Sequence, residues 1–156
     1  MYTVYSDTTL IHDGTSPDLD IHLIDPTLTI GDSVAGSFDM TVPPNNPGYS
    51  VINRFTSIIY VKRDNVLMWK GRVLTENQDL WNRRKFTTEG ALAFLNDTNQ
   101  EMKTYANVNL QSFIATLLDV HNSKVSTLKQ FRLGMITVND LDDDHVYQTN
   151  YGNTLE

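Results

Sequence analysis

Asp140, Asp142, Asp143 and Asp144 form the densest acidic run in the chain. Carboxylates at alternate positions can cage Ca2+, a hard cation that takes several oxygen ligands. An EF-hand loop needs glycine at its sixth position and glutamate at its twelfth. Counted from Asp140, those positions hold His145 and Tyr151, so that loop is excluded and the run reads as a solvated hairpin turn. The histidines, His12, His22, His121 and His145, lie 10, 99 and 24 residues apart and match no metal-ligand spacing. His12 and His22 can face each other across a hairpin, and His121 ends a helix, where an imidazolium suits the macrodipole. A Ser–His–Asp triad assembles in space, so counting does not test for it, but there is no G-x-S-x-G. The eight glycines stand singly, which excludes a Walker A loop and a dinucleotide fingerprint. Glycoside chemistry needs two carboxylates in one cleft. With 19 acids such a pair is always available and carries no information. The absence of cysteine removes disulfides, thiolate metal sites and Cys nucleophiles. Trp69 and Trp81 can line a sugar-binding face, but residues of this kind more often anchor a core or an interface. No catalytic, cofactor-binding or metal-ligating residue is assigned, no cofactor is expected, and the chain reads as a non-enzyme.

The elements that position these residues read mainly as strands. Thr3–Tyr5 and Leu10–His12 are short β runs, Asp20–Asp25 is a strand stopped by Pro26, and Leu28–Ile30 continues it. Ser37–Val42 alternates polar and apolar residues, the pattern of a half-buried strand, and the cluster Pro43–Gly48 ends it. Tyr49–Phe55 has room for one or two helical turns. Ser57–Lys62, a turn at Arg63–Asn65, and Val66–Lys70 make a hairpin that runs on to Leu74, with Gly71 as a bulge or a close backbone approach. Thr75–Trp81 is a strand or loop, Arg84–Gly90 a strand, and Ala91–Asn96 a short helix. Leu110, Phe113, Ile114, Leu117 and Leu118 mark one face of an amphipathic helix, with Asn109 as N-cap and Asn122–Ser123 as the stop. Gln130–Val138 is a strand and His145–Gln148 a short final one. Thr154–Leu155–Glu156 reads as the opening of a helix, as if the chain were cut there.

Fifteen Asp against four Glu, with 18 Thr, 14 Asn and 12 Val, favour turns and strands over helices. The fold class is therefore mainly β, β-barrel-like, with one amphipathic helix, α+β overall. A first β domain spans residues 1–100 and a second, truncated α+β domain 101–156. No stretch is long and apolar enough for a transmembrane helix, and the first residues lack a signal-peptide pattern, so no membrane insertion is expected. A net charge of −7 argues against binding nucleic acid by neutralising phosphates. The charge is segregated: −7 over residues 1–53, which hold no Lys or Arg, +5 over 54–85 and −5 over 86–156. Either strands of the first two segments pair so that opposite charges face each other, or acidic and basic surfaces of neighbouring copies meet in an oligomer.

The order of several motifs resembles a known family. Gly36-Ser-Phe-Asp-Met-Thr-Val-Pro-Pro-Asn-Asn-Pro-Gly-Tyr49 is followed by Ile58–Val61, Trp69-Lys-Gly-Arg-Val73 and Glu89-Gly-Ala-Leu-Ala-Phe-Leu-Asn-Asp97. Then come the helix ending in His121-Asn122, Phe131–Val138 and Tyr151-Gly-Asn-Thr-Leu155. From about residue 19 to the end, this series is similar to the N-terminal part of phage and prophage tail-tip (baseplate) hub proteins, the minor structural protein, tail-associated lysin or prophage tail endopeptidase family. The resemblance implies small β-barrel-like domains and a homotrimer in the full-length protein. The ring would cap the tail tube, contact a distal tail protein or tube ring, and let DNA and the tape-measure protein pass. It also implies assembly in the bacterial host cytoplasm, a place at the virion tail tip and no sequence-specific nucleic-acid binding. An acidic lumen would repel DNA phosphates. Any peptidoglycan-cleaving region lies further along in that family, so no catalytic residue carries over. The alternatives are a carbohydrate- or receptor-binding β module of a virion with Trp69 or Trp81 as its platform, and a cell-wall hydrolase.

Overall fold

The computed structural model describes residues 1–31, 34–136 and 145–154. The acidic run Asp140–Asp144, the strand end Thr137–Val138 and the helix opening at Leu155–Glu156 lie outside the described residues. The fold is mainly β. Seven strands, β1 (Tyr2–Ser6), β2 (Thr9–Asp13), β3 (Ile24–Thr29), β4 (Ser37–Val42), β5 (Ile58–Arg63), β6 (Val66–Gln78) and β7 (Arg84–Gly90), form a curled antiparallel half-barrel. The strand order is β2-β1-β5-β6-β7-β4-β3. A two-stranded ribbon, β8 (Lys103–Ala106) with β9 (Val146–Thr149), and the helix α1 (Leu110–Lys124) follow. The chain divides into two compact units, Met1–Leu92 and Ala93–Glu156. The division therefore lies ahead of the residue-100 boundary read from the sequence. The reason is that Leu95, Thr98 and Gln100 bond to Thr154 and α1 of the second unit.

Alternation builds the half-barrel. In β4, Phe38, Met40 and Val42 turn inward and the residues between them do not. Together with Val4, Ile11, Ile59, Val61, Trp69, Val73 and Phe86 they form the core of the first unit, as expected of an antiparallel sheet with one buried face. The hairpin β5–β6 turns at Asp64 and Asn65, both with positive φ (50° and 64°), the pair a two-residue turn of the primed type requires. Pro26 does not stop β3 but lies within it. It can do so because Asp25 and Pro26 fall in an irregularity of the β3–β4 ladder, between Ile24 and Thr27, on an edge strand, a place where proline costs no ladder bond. The stretch read as the strand's start holds instead a 3-10 turn, Leu19–Ile21, capped by Asp18. Tyr49–Phe55 forms turns rather than helix. Those turns are held by Arg84, whose guanidinium donates to the carbonyl oxygens of Tyr49 and Ile52 and pairs with Glu76.

Strands of the acidic and basic segments do pair, but not charge to charge. Tyr2 faces Arg63, Thr3 faces Lys62 and Thr41 faces Lys85. The arginines of the basic segment pair within their own hairpins: Arg63–Asp64 at the β5–β6 turn, and Arg72–Glu89, Arg83–Asp79 and Arg84–Glu76 on β6, β7 and their connecting turn. Among the described residues, Asp7, Asp13, Asp18, Asp20, Asp25 and Asp39 make no ion pair with Lys or Arg. Several of them instead accept hydrogen bonds from nearby backbone or polar side chains.

In the second unit, Asn109 caps α1 as the sequence predicts, its Oδ1 accepting from the Ser112 N–H at 2.8 Å. The helix ends at Lys124, one residue past the expected stop at Asn122–Ser123. Phe113 stacks on Tyr147 (centroids 4.4 Å apart) and meets Tyr105 edge-on at 5.4 Å, which docks the ribbon on the helix. The run from Gln130 to Ile136 is not a strand. At Phe131 both backbone groups are taken by one side chain: Asn122 Nδ2 donates to the Phe131 carbonyl at 2.8 Å and its Oδ1 accepts from the Phe131 N–H at 2.9 Å.

Candidate interaction surfaces

The two edges of the half-barrel approach each other without forming a ladder. Asn46, buried, donates to the Ile11 carbonyl of β2 at 2.9 Å and to the His22 carbonyl just ahead of β3 at 3.4 Å. His12 Nδ1 accepts from the Leu23 N–H at 3.2 Å. This clamp is therefore made of side chains. Beyond it the edges part, and a cavity of about 550 Å3 opens between them. Val4, Leu28, Phe38 and Val61 line its walls, Tyr2 and Ile30 stand at its rim, and His12 supplies polar character.

His12 and His22 do meet, with ring centroids 5.5 Å apart and nearly perpendicular, but across the seam rather than across one hairpin. Burial pushes the His12 imidazole below its usual 6.5, the neighbouring His22 adds to this, and Asp13 opposes it. The bond from Leu23 also requires Nδ1 to be unprotonated. The fold thus favours the neutral ring. Its contribution to stability is complete above pH 6.5 and is lost as pH falls from there towards the lower folded value. Urea titrations between pH 7.5 and 5.5 should show a falling midpoint that is flattened in His12→Gln. An equal fall in that variant would place the pH sensitivity elsewhere.

The second surface is the turn between β6 and β7. Leu80 is 96 % exposed and Trp81 is 71 % exposed. Asp79 holds the turn: its Oδ1 accepts from the backbone N–H groups of Trp81 (2.9 Å) and Arg83 (3.0 Å), and its Oδ2 pairs with Arg83 Nε at 2.6 Å. Asn82 supplies the positive φ, and the Arg83 guanidinium lies over the Trp81 ring at 4.8 Å. Two large apolar side chains are thereby presented on an ordered backbone.

The two tryptophans have opposite fates. Trp69 is core: it is 7 % exposed, packs on Phe38, and is bordered by Gly36, Gly71 and Gly90. A sugar platform could therefore involve Trp81 but not Trp69. His121 is fully buried rather than a surface cap. Its Nε2 donates to the Lys129 carbonyl at 3.1 Å and its Nδ1 shares a hydrogen bond with the Thr98 hydroxyl at 2.7 Å. His145 is exposed, with its ring 6.1 Å from Tyr147. Among the described residues no group of three or more His, Asp or Glu is placed to hold a metal, and no helix is long and apolar enough to cross a membrane. Buried Asn46 and His121, which organise the seam clamp and the second unit, carried no distinguishing signal in the sequence beyond their side-chain chemistry.

No family model matches the chain, and no curated protein matches it at a significant level.

Proposed function

We propose that this chain is a structural, non-catalytic module of a phage or prophage tail-tip hub, one that joins copies of itself into a ring capping the tail tube and passing DNA. The observation that supports the reading most is the place of the motif series in the fold. Gly36–Tyr49 supplies β4 and its turn, Ile58–Val61 lies in β5, Trp69–Val73 in β6, and Glu89–Asp97 runs from the end of β7 through the following 3-10 turn. These motifs supply central strands of a barrel-like sheet whose edge strands, β2 and β3, are left unjoined by a ladder. A distal tail protein or tube ring and the tape-measure protein are the proposed neighbours, and the tail tip is the proposed location. An antibody to the chain should label the tail tips of particles induced from the source culture. Labelling of free protein only, with none on particles, would overturn the reading, and clearing of a cell-wall zymogram by the purified chain would overturn its non-catalytic part.

A second reading is favoured by one observation, the exposed Trp81: a carbohydrate- or receptor-binding module with this ring as its platform. It requires Trp81 emission to shift when cell-wall sugars are added, and an unchanged spectrum removes it.

A further inference from the structure

We propose that the β6–β7 tip of one copy, Leu80 and Trp81, docks into the open seam of the half-barrel of a second copy, so that copies join head to tail. Both halves of the contact lie in the unit Met1–Leu92 and share no residue. The tip offers two nearly bare apolar side chains, and its backbone is already held by Asp79, so docking orders little that is not ordered beforehand. The seam offers a cavity of about 550 Å3 with apolar walls, inside the range of roughly 300–1,000 Å3 in which pockets bury compact ligands. A large aromatic anchor in an apolar pocket is the arrangement that dominates interface energies.

Charge matches the same pairing. The end of the β6–β7 hairpin, residues 76–85, holds Arg83, Arg84 and Lys85 against Glu76 and Asp79, three bases less two acids, with Arg83 paired to Asp79 and Arg84 to Glu76. Residues 7–25, of which His12 lines the cavity and Asp13 and Asp25 adjoin the lining residues His12 and Pro26, hold Asp7, Asp13, Asp18, Asp20 and Asp25 and no Lys or Arg. Among the described residues the acids of this segment make no ion pair with Lys or Arg, so their field can steer the tip of a second copy. Because tip and seam are different patches, the contact is heterologous: it closes into a ring if the rotation allows, and otherwise extends as a filament. The inference stands on these two surfaces and does not depend on the tail-hub reading. A small amphipathic molecule is the competing occupant. The second copy is favoured because it also covers the tip and meets the charge.

The test is sedimentation velocity of the whole chain from about 1 µM to about 500 µM, followed in parallel by tryptophan emission. The expected result is a mass that rises with concentration and an emission that moves to the blue as Trp81 is covered. Leu80→Ser with Trp81→Ser, and separately Ile30→Glu at the exposed rim, should each weaken association at least tenfold with unchanged thermal melts. Mixed together, the two variants should pair into dimers and go no further, since one keeps its seam and the other its tip. A mass of one chain over the whole range overturns the proposal. So does an assembly that either variant leaves intact, an outcome that moves the interface elsewhere without touching the tail-hub reading. A monomer whose seam takes up anilinonaphthalene sulfonate, with uptake lost in Ile30→Glu, assigns the seam to a small ligand and likewise overturns it.

Discussion

Gly90→Ala should cost the first unit about 4 kcal/mol or more, enough to take it close to unfolding. Gly71 and Gly90 face each other across β6 and β7, and the missing side chains leave a notch beside Trp69. A Cβ on Gly90 would lie inside the carbonyl oxygen of Ala35 and 3.0 Å from Trp69 Nε1. A Cβ on Gly71 would lie inside the Glu89 carbonyl oxygen and against the indole ring. The obstacle at Gly90 is backbone, which cannot rotate away as a flexible side chain can. Moving it would also disturb the Gly90 N–H bond to the Gly36 carbonyl and the indole, which packs against the core. Overpacking alone costs about 1–3 kcal/mol, and the backbone collision adds to it. Urea unfolding monitored by Trp69 emission, in a Trp81→Phe background so that one reporter remains, measures the loss. A midpoint within about 1 kcal/mol of the parent would mean that the Ala35 strand connection yields freely and that the notch is not a constraint.

His121→Ala should destabilise the second unit by about 3–5 kcal/mol. The imidazole is fully buried and links the Thr98 hydroxyl to the Lys129 carbonyl. The network continues from Thr98 to the Thr154 hydroxyl (2.9 Å) and on to Gln100 Nε2 (2.7 Å), which also donates to the Leu117 carbonyl of α1 at 3.2 Å. Truncation therefore leaves a cavity beside Phe131, whose ring lies 5.5 Å from the imidazole, and strands buried polar groups that no longer have partners. The effect should be local. Amide hydrogen exchange in α1 should accelerate, while the amides of β5 and β6 keep their protection. Slowed or unchanged exchange in α1 would refute the role assigned to the network, and equal acceleration in both units would show that they unfold as one.

How far the sequence could be read follows from the range of the forces involved. The alternation of Ser37–Val42, the Asp64–Asn65 turn and the Asn109 cap with its apolar stripe were legible because each is settled by neighbours a few residues away. Gly71 was legible as a close approach, although what approaches it, the Trp69 ring and the Glu89 carbonyl, was not. Phe131 misled because an alternating apolar run is compatible with a strand, yet its ladder partner turned out to be the amide of Asn122. Pro26 misled for the opposite reason: it lies in a break of the β3–β4 ladder, where the N–H it lacks is not needed. The segregation of charge was visible as arithmetic, but its expected internal pairing was not met, because the arginines found acids on their own hairpin.

By itself, then, the sequence determined a mainly β chain with one capped helix and the approximate places of most of its strands. Local propensity, side-chain period and turn chemistry act over a handful of residues and suffice for that. Tertiary structure alone decided that the sheet curls until β2 and β3 meet at a seam, that Trp69 is buried while Trp81 stands free, and that His12 and His121 are positioned by carbonyls, hydroxyls and amides far from them in the chain. These outcomes depend on which strand lies beside which and on where a buried polar group finds a partner, and the sequence separations they bridge, such as the 35 residues between Ile11 and Asn46, lie beyond the reach of any local pattern.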